Sequence, residues 1–66
     1  MSDEAVWRAL SSPVRRRMLD VLRAGPRTTG RLASGFAELS RFAVMQHLAV
    51  LEGAGLVVVR RSGRER

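Results

Sequence analysis

The chain is 66 residues long, sets twelve basic against six acidic residues for a net charge of +6, and contains no cysteine. That length allows one small domain, which hides only about 60% of its unfolded surface on folding. The missing thiols exclude disulfides and thiolate metal sites, and no apolar run approaches the roughly 20 residues of a membrane span.

The start Met1-Ser2-Asp3-Glu4 is acidic and is no signal peptide. A cytoplasmic protein with a polyanionic partner is the expectation. All the basic residues are arginine, and lysine, isoleucine, asparagine and tyrosine are absent. Codons for those four are AT-rich, so the bias points to a GC-rich genome and says nothing about function.

A first helix is predicted from about Asp3 to Leu10, with Val6, Ala9 and Leu10 at helical spacing. Ser12 is placed to cap a second, with Pro13 at its first position, where a missing N–H costs nothing. Val14, Met18, Val21 and Leu22 make the apolar stripe of this helix. Gly25-Pro26 ends it near Ala24. The run Arg15-Arg16-Arg17 opposes the helix dipole at that N-terminus. Arg16 and Asp20 are spaced as an i,i+4 pair that offsets part of the cost, with Arg23 on the other side of Asp20. A solvated face or a phosphate contact would account for the run.

Thr28 can cap a short third helix from about Thr29 to Gly35, which buries Leu32 and Ala33 and leads to Phe36. Arg31 stands where a capping box needs an acid, so that box is not formed. Ser40 can cap a fourth helix from Arg41 to about Ala54, with Val44, Leu48 and Leu51 inward. Gly53-Ala54-Gly55 closes it. The apolar run Leu56-Val57-Val58-Val59 then reads as a strand, and Ser62-Gly63 as a turn. Only Arg64-Glu65-Arg66 follow, and an unpaired strand leaves its backbone groups unsatisfied. The expectation is a chain cut short inside a β-hairpin. The predicted fold is therefore mainly α: one winged helix-turn-helix domain over 1–66, four short helices plus a β-hairpin wing truncated within the wing.

Two short helices joined by Phe36-Ala37-Glu38-Leu39, the second capped by serine, form a helix-turn-helix pattern whose second helix would enter the DNA major groove. Arg41, Phe42, Met45, Gln46 and Ala49 share the outer face of that helix. Gln46 can pair with adenine and Arg41 with guanine or a phosphate, while Phe42, Met45 and Ala49 can touch thymine methyl groups. Such an apolar outer face also suits packing against protein, so a protein-interaction module around Phe42 and Met45 is the competing reading.

Arg60, Arg61, Arg64 and Arg66 against Glu65 put four positive charges and one negative into residues 60–66. A basic hairpin beside a helix-turn-helix is a wing for phosphates or the minor groove; the alternative is a sheet edge guarded by charge. His47 reads as a hydrogen-bonded boundary residue rather than a base contact or ligand. Trp7 reads as core or subunit-interface packing. A metal at His47 would need at least two further ligands, and only scattered carboxylates are present. With no cysteine nucleophile, no His-Asp motif and no glycine-rich phosphate loop, an enzyme is not expected, and no cofactor is implied.

Val6-Trp7-Arg8-Ala9-Leu10-Ser11-Ser12-Pro13-Val14-Arg15-Arg16-Arg17-Met18-Leu19 resembles the opening of the ArsR/SmtB-type winged-helix repressors of bacteria. Leu39-Ser40-Arg41-Phe42-Ala43-Val44-Met45-Gln46-His47-Leu48, then Val50-Leu51-Glu52 and Ala54-Gly55-Leu56-Val57, resemble its later parts. The match spans nearly the whole chain and is most similar to the branch without the metal-binding cysteine box. The resemblance implies a homodimeric transcriptional repressor on a short inverted repeat of double-stranded DNA. By that pattern Arg41, Phe42, Met45 and Gln46 read bases, while Ser40, Arg60, Arg61, Arg64 and Thr28 hold phosphates.

Departures from the pattern are specific. Gly30-Arg31-Leu32-Ala33-Ser34-Gly35 lacks the Cys-x-Cys of the family's metal sensors, so no metal is expected through the third helix. Met45 stands where a small polar residue is common, and Ala49 where a basic one is. The return strand and C-terminal dimerisation helix are missing from the pattern, leaving Val6, Trp7 and Leu10 as part of an interface. A monomeric or weakly dimeric 66-residue form is expected.

Overall fold

The computed structural model describes residues 3–60. Four helices follow one another: α1 (Asp3–Leu10), α2 (Pro13–Arg23), α3 (Thr29–Ser34) and α4 (Arg41–Gly53). Each of the last three begins at a hydroxyl residue in extended backbone. Ser12 Oγ accepts from the Arg15 amide at 3.2 Å, Thr28 Oγ1 from Arg31 at 3.1 Å, and Ser40 Oγ from Ala43 at 3.0 Å. Each contact satisfies one of the orphan amides of a helix start. Arg31 thus supplies the backbone half of a capping box while its side chain cannot complete it.

Two glycines stop the longer helices. Gly25 follows the α2 cap Ala24 at φ +147°, a conformation that side-chain-bearing residues rarely adopt. Gly55 has φ +75° after the α4 cap Ala54. Its amide donates to Glu52 O at 2.9 Å and the Leu56 amide to Leu51 O at 3.0 Å. This is the Schellman arrangement, with Leu56 folded back toward the core.

The core consists of Ala9, Met18, Leu32, Phe36, Val44, Leu48, Leu51 and Ala54. Helix α4 packs on α1, α2 and α3 alike, and contributes Val44, Leu48 and Leu51. These are the three residues whose spacing predicted an inward stripe. In α2 only Met18 is fully buried; Val14, Val21 and Leu22 are half-buried at its rim. Ala33 is likewise half-buried, whereas Leu32 and Phe36 sit in the core.

The expected strand is not formed among the described residues: after α4, residues 57–60 carry no regular secondary structure. A strand is stabilised only through a hydrogen-bonded neighbour, and no described segment supplies one. The turn at Ser62-Gly63 and the residues after it lie outside the described residues.

Candidate nucleic-acid interface

The turn between α3 and α4 is tight. Phe36 O accepts from the Leu39 amide at 2.9 Å, closing a β-turn over the four predicted residues, and the Phe36 ring is buried. From above, Arg17 of α2 holds this turn. Its Nη1 donates to Glu38 Oε2 at 2.8 Å, and its guanidinium carbon lies 4.6 Å from the centre of the Phe36 ring. The Arg17 hydrogen bond, joined by a backbone bond and the guanidinium charge, lowers the pKa of the Glu38 carboxyl from its ordinary value.

The other two arginines of the triplet turn the opposite way. Arg15 Nε donates to Ala9 O at 2.8 Å and its Nη2 to Arg8 O at 2.9 Å, while Arg16 Nη1 donates to Leu10 O. Carbonyls at the end of α1 thereby meet cations at the negative end of its dipole, Arg8 O accepting from the Ser11 amide and hydroxyl as well. Arg16 and Arg17 remain exposed, as a solvated face requires, and each also has a hydrogen-bond partner, while Arg15 is half-buried. The anticipated Arg16–Asp20 pair is absent; Asp20 instead faces Arg23 at 3.4 Å. Arg16 has the better partner, since a helix-terminal carbonyl without it relies on water.

Arg15 also reaches α4, where its Nη1 lies 3.1 Å from His47 Nδ1. Arginine can only donate, so in this contact the acceptor role falls to Nδ1. His47 is half-buried, as a boundary residue should be. Sequence reasoning identified His47 but missed its partner. The one signal was that Arg15 lies in the first turn of the second predicted helix, five residues after the first one ends.

With α4 fixed in this way, its outer face is open. Phe42 is 72% exposed and Met45 42%, and Arg41, Gln46 and Ala49 are exposed beside them. Thr28 and Ser40, also exposed, lie at the starts of α3 and α4. Each hydroxyl accepts a backbone hydrogen bond and keeps its own O–H free to donate. Arg60 is exposed at the end of the described residues, and Arg61 and Arg64 lie outside them. On α1, Trp7 is 70% exposed, whereas Val6 and Leu10 are half-buried.

Among the described residues, no group of three or more His, Cys, Asp or Glu side chains could hold a metal ion. No described helix is long and apolar enough to cross a membrane.

Two short helices joined by a closed turn, with an open face on the second, define a helix-turn-helix unit. Residues 10–60 match the family described as helix-turn-helix domain, and the chain belongs to that family. It is 36% identical over 59 residues to the transcriptional repressor SdpR of Bacillus subtilis, an alignment covering 89% of this chain and 64% of that protein. It is 42% identical over 65 residues to the HTH-type transcriptional regulator Rv2034 of Mycobacterium tuberculosis, covering 98% of this chain and 60% of that one. The chain therefore spans less than two thirds of either relative. No solved structure matches it.

Proposed function

We propose that the chain is the DNA-binding part of a bacterial transcriptional repressor of the ArsR/SmtB type, from the branch without the cysteine box. The observation that carries this reading is the outer face of α4. It presents Arg41, Phe42, Met45 and Gln46 to solvent on a helix held by three others, in a chain of net charge +6. Similarity to two proteins named as a transcriptional repressor and a transcriptional regulator supports it. In the proposed complex α4 lies in the major groove, with Gln46 and Arg41 hydrogen-bonded to base edges. Thr28, Ser40, Arg60, Arg61 and Arg64 hold phosphates on either side, the last three as the basic arm of a wing.

Repression is steric. A homodimer formed partly through Val6, Trp7 and Leu10 of α1 would set two copies of α4 about 34 Å apart on one face of an operator. The compartment is the cytoplasm, no metal acts through α3, and no catalysis is involved.

Salt and sequence test the reading. Log affinity for duplex DNA should fall with log salt by about 0.9 per phosphate neutralised. Gln46→Ala should cost about 1–3 kcal/mol on the preferred site and little on random DNA. Arg61→Ala should weaken both alike. Equal binding of promoter and random duplexes, unchanged by Gln46→Ala, would remove sequence-specific repression. A second reading, a protein-interaction module, is favoured by one observation, the 72% exposure of Phe42. It predicts that no duplex sequence is preferred and that Gln46→Ala changes binding to none of them.

A further inference from the structure

We infer that α4 reads 5-methylpyrimidines: its exposed apolar stripe is a receptor for the C5-methyl groups of the major groove, and the operator is selected through them. This rests on the reading of α4 as the DNA-contacting helix.

The arrangement on α4 carries the inference. At about 100° per residue, Arg41, Met45, Ala49, Phe42 and Gln46 follow one another in that angular order across an arc of about 140°. The apolar residues are thus the middle of the open face, and the two hydrogen-bonding side chains are its edges. No acidic residue falls between Arg41 and Ala49, and the chain carries +6, so the face suits a polyanion electrostatically. A polyanion whose groove met this stripe with only polar groups would leave Phe42 and Met45 without a gain from desolvation.

The major groove offers one apolar group, the C5-methyl of thymine; 5-methylcytosine presents the same group at the same place. Met45 is unbranched and polarizable and can adapt to the position of a methyl group. Ala49 leaves room beside it. Gln46 at the edge of the stripe suits adenine, whose partner thymine brings a methyl into the same base pair. The polar and apolar parts of the face therefore ask for the same base pairs. A face of this composition is matched to A·T-containing half-sites.

The test uses the 66-residue chain and random duplex libraries synthesised in three forms: with thymine, with uracil replacing thymine, and with 5-methylcytosine replacing cytosine. The thymine library should yield an enriched A·T-containing sequence. Its uracil form should bind about fourfold more weakly for each contacted methyl removed. In the double variant Phe42→Ala/Met45→Ala, at exposed positions of α4, the preference for the thymine over the uracil form should fall to what Ala49 alone can support. The 5-methylcytosine library should admit C·G alongside T·A at methyl-contacting positions that Gln46 does not read, and keep T·A where it does.

An enriched sequence bound equally in its thymine and uracil forms overturns the methyl inference and leaves DNA binding standing. A thymine-over-uracil preference undiminished in the double variant also overturns it, because the methyl groups would then act through something other than the stripe. A chain that retains no duplex from any library overturns the DNA reading and this inference together.

Discussion

The arginines of α2 and the arginine of α4 have the same side chain and different employment. Arg15, Arg16 and Arg17 are tied to α1 carbonyls, His47, Glu38 and the Phe36 ring. Arg41 is exposed at the start of α4 and has no hydrogen bond or ion pair among the described residues. The difference teaches that net charge is a poor guide to a binding surface in a domain this small. Part of the +6 is internal fastening, and the arginines that remain exposed without a partner are the ones free to meet phosphate.

The comparison can be broken at the triplet first. Arg15→Met keeps the aliphatic stem and removes the bonds to Arg8 O, Ala9 O and His47 Nδ1. Unfolding in urea should show a loss of about 2 kcal/mol, since charge-assisted bonds from a half-buried group are lost together. A change below about 0.5 kcal/mol would show that the triplet is merely solvated. Arg17→Met should cost less, about 0.5–1 kcal/mol from the guanidinium–ring contact, read in the same experiment. Arg41→Met should leave stability within about 0.5 kcal/mol of the parent.

The smallest effect concerns Glu38. Its carboxyl pKa is lowered in the folded state, chiefly by Arg17. Its contribution is therefore complete above the ordinary glutamate range and is lost as the pH falls through the lowered folded-state value. Glu38→Gln should flatten that part of the acid limb of a stability-against-pH curve, and an NMR titration should place the carboxyl below an unperturbed glutamate. A Glu38 titrating at the ordinary value would detach the turn from Arg17.

Much of this fold was legible because its signals are local. A hydroxyl followed by an amide three residues later marks Ser12, Thr28 and Ser40, and the spacing of Val44, Leu48 and Leu51 marks the buried side of α4. The fasteners were not legible. Arg15 meets His47 and Arg17 meets Glu38 across 32 and 21 residues, and helix periodicity carries no information at that range. Arg16 has an obvious neighbour in Asp20, yet it turns to Leu10 O because the end of α1 lies beside it. The run from Leu56 fails as a strand for a related reason. Its composition favours a pleated chain, but strand formation depends on a partner segment that composition cannot supply.

On the candidate site, exposure was legible and employment was not. Apolar Phe42 and Met45 were expected to face outward, and they do. Whether that face meets bases or protein is a question of binding, and the most direct measurement is the salt dependence of duplex binding for the parent, Arg41→Met and Arg16→Met side by side. The account predicts that Arg41→Met lowers the slope of log affinity against log salt by about 0.9, while Arg16→Met leaves it unchanged. A slope that Arg16→Met lowers and Arg41→Met does not would contradict the division of the arginines and the placement of DNA on α4.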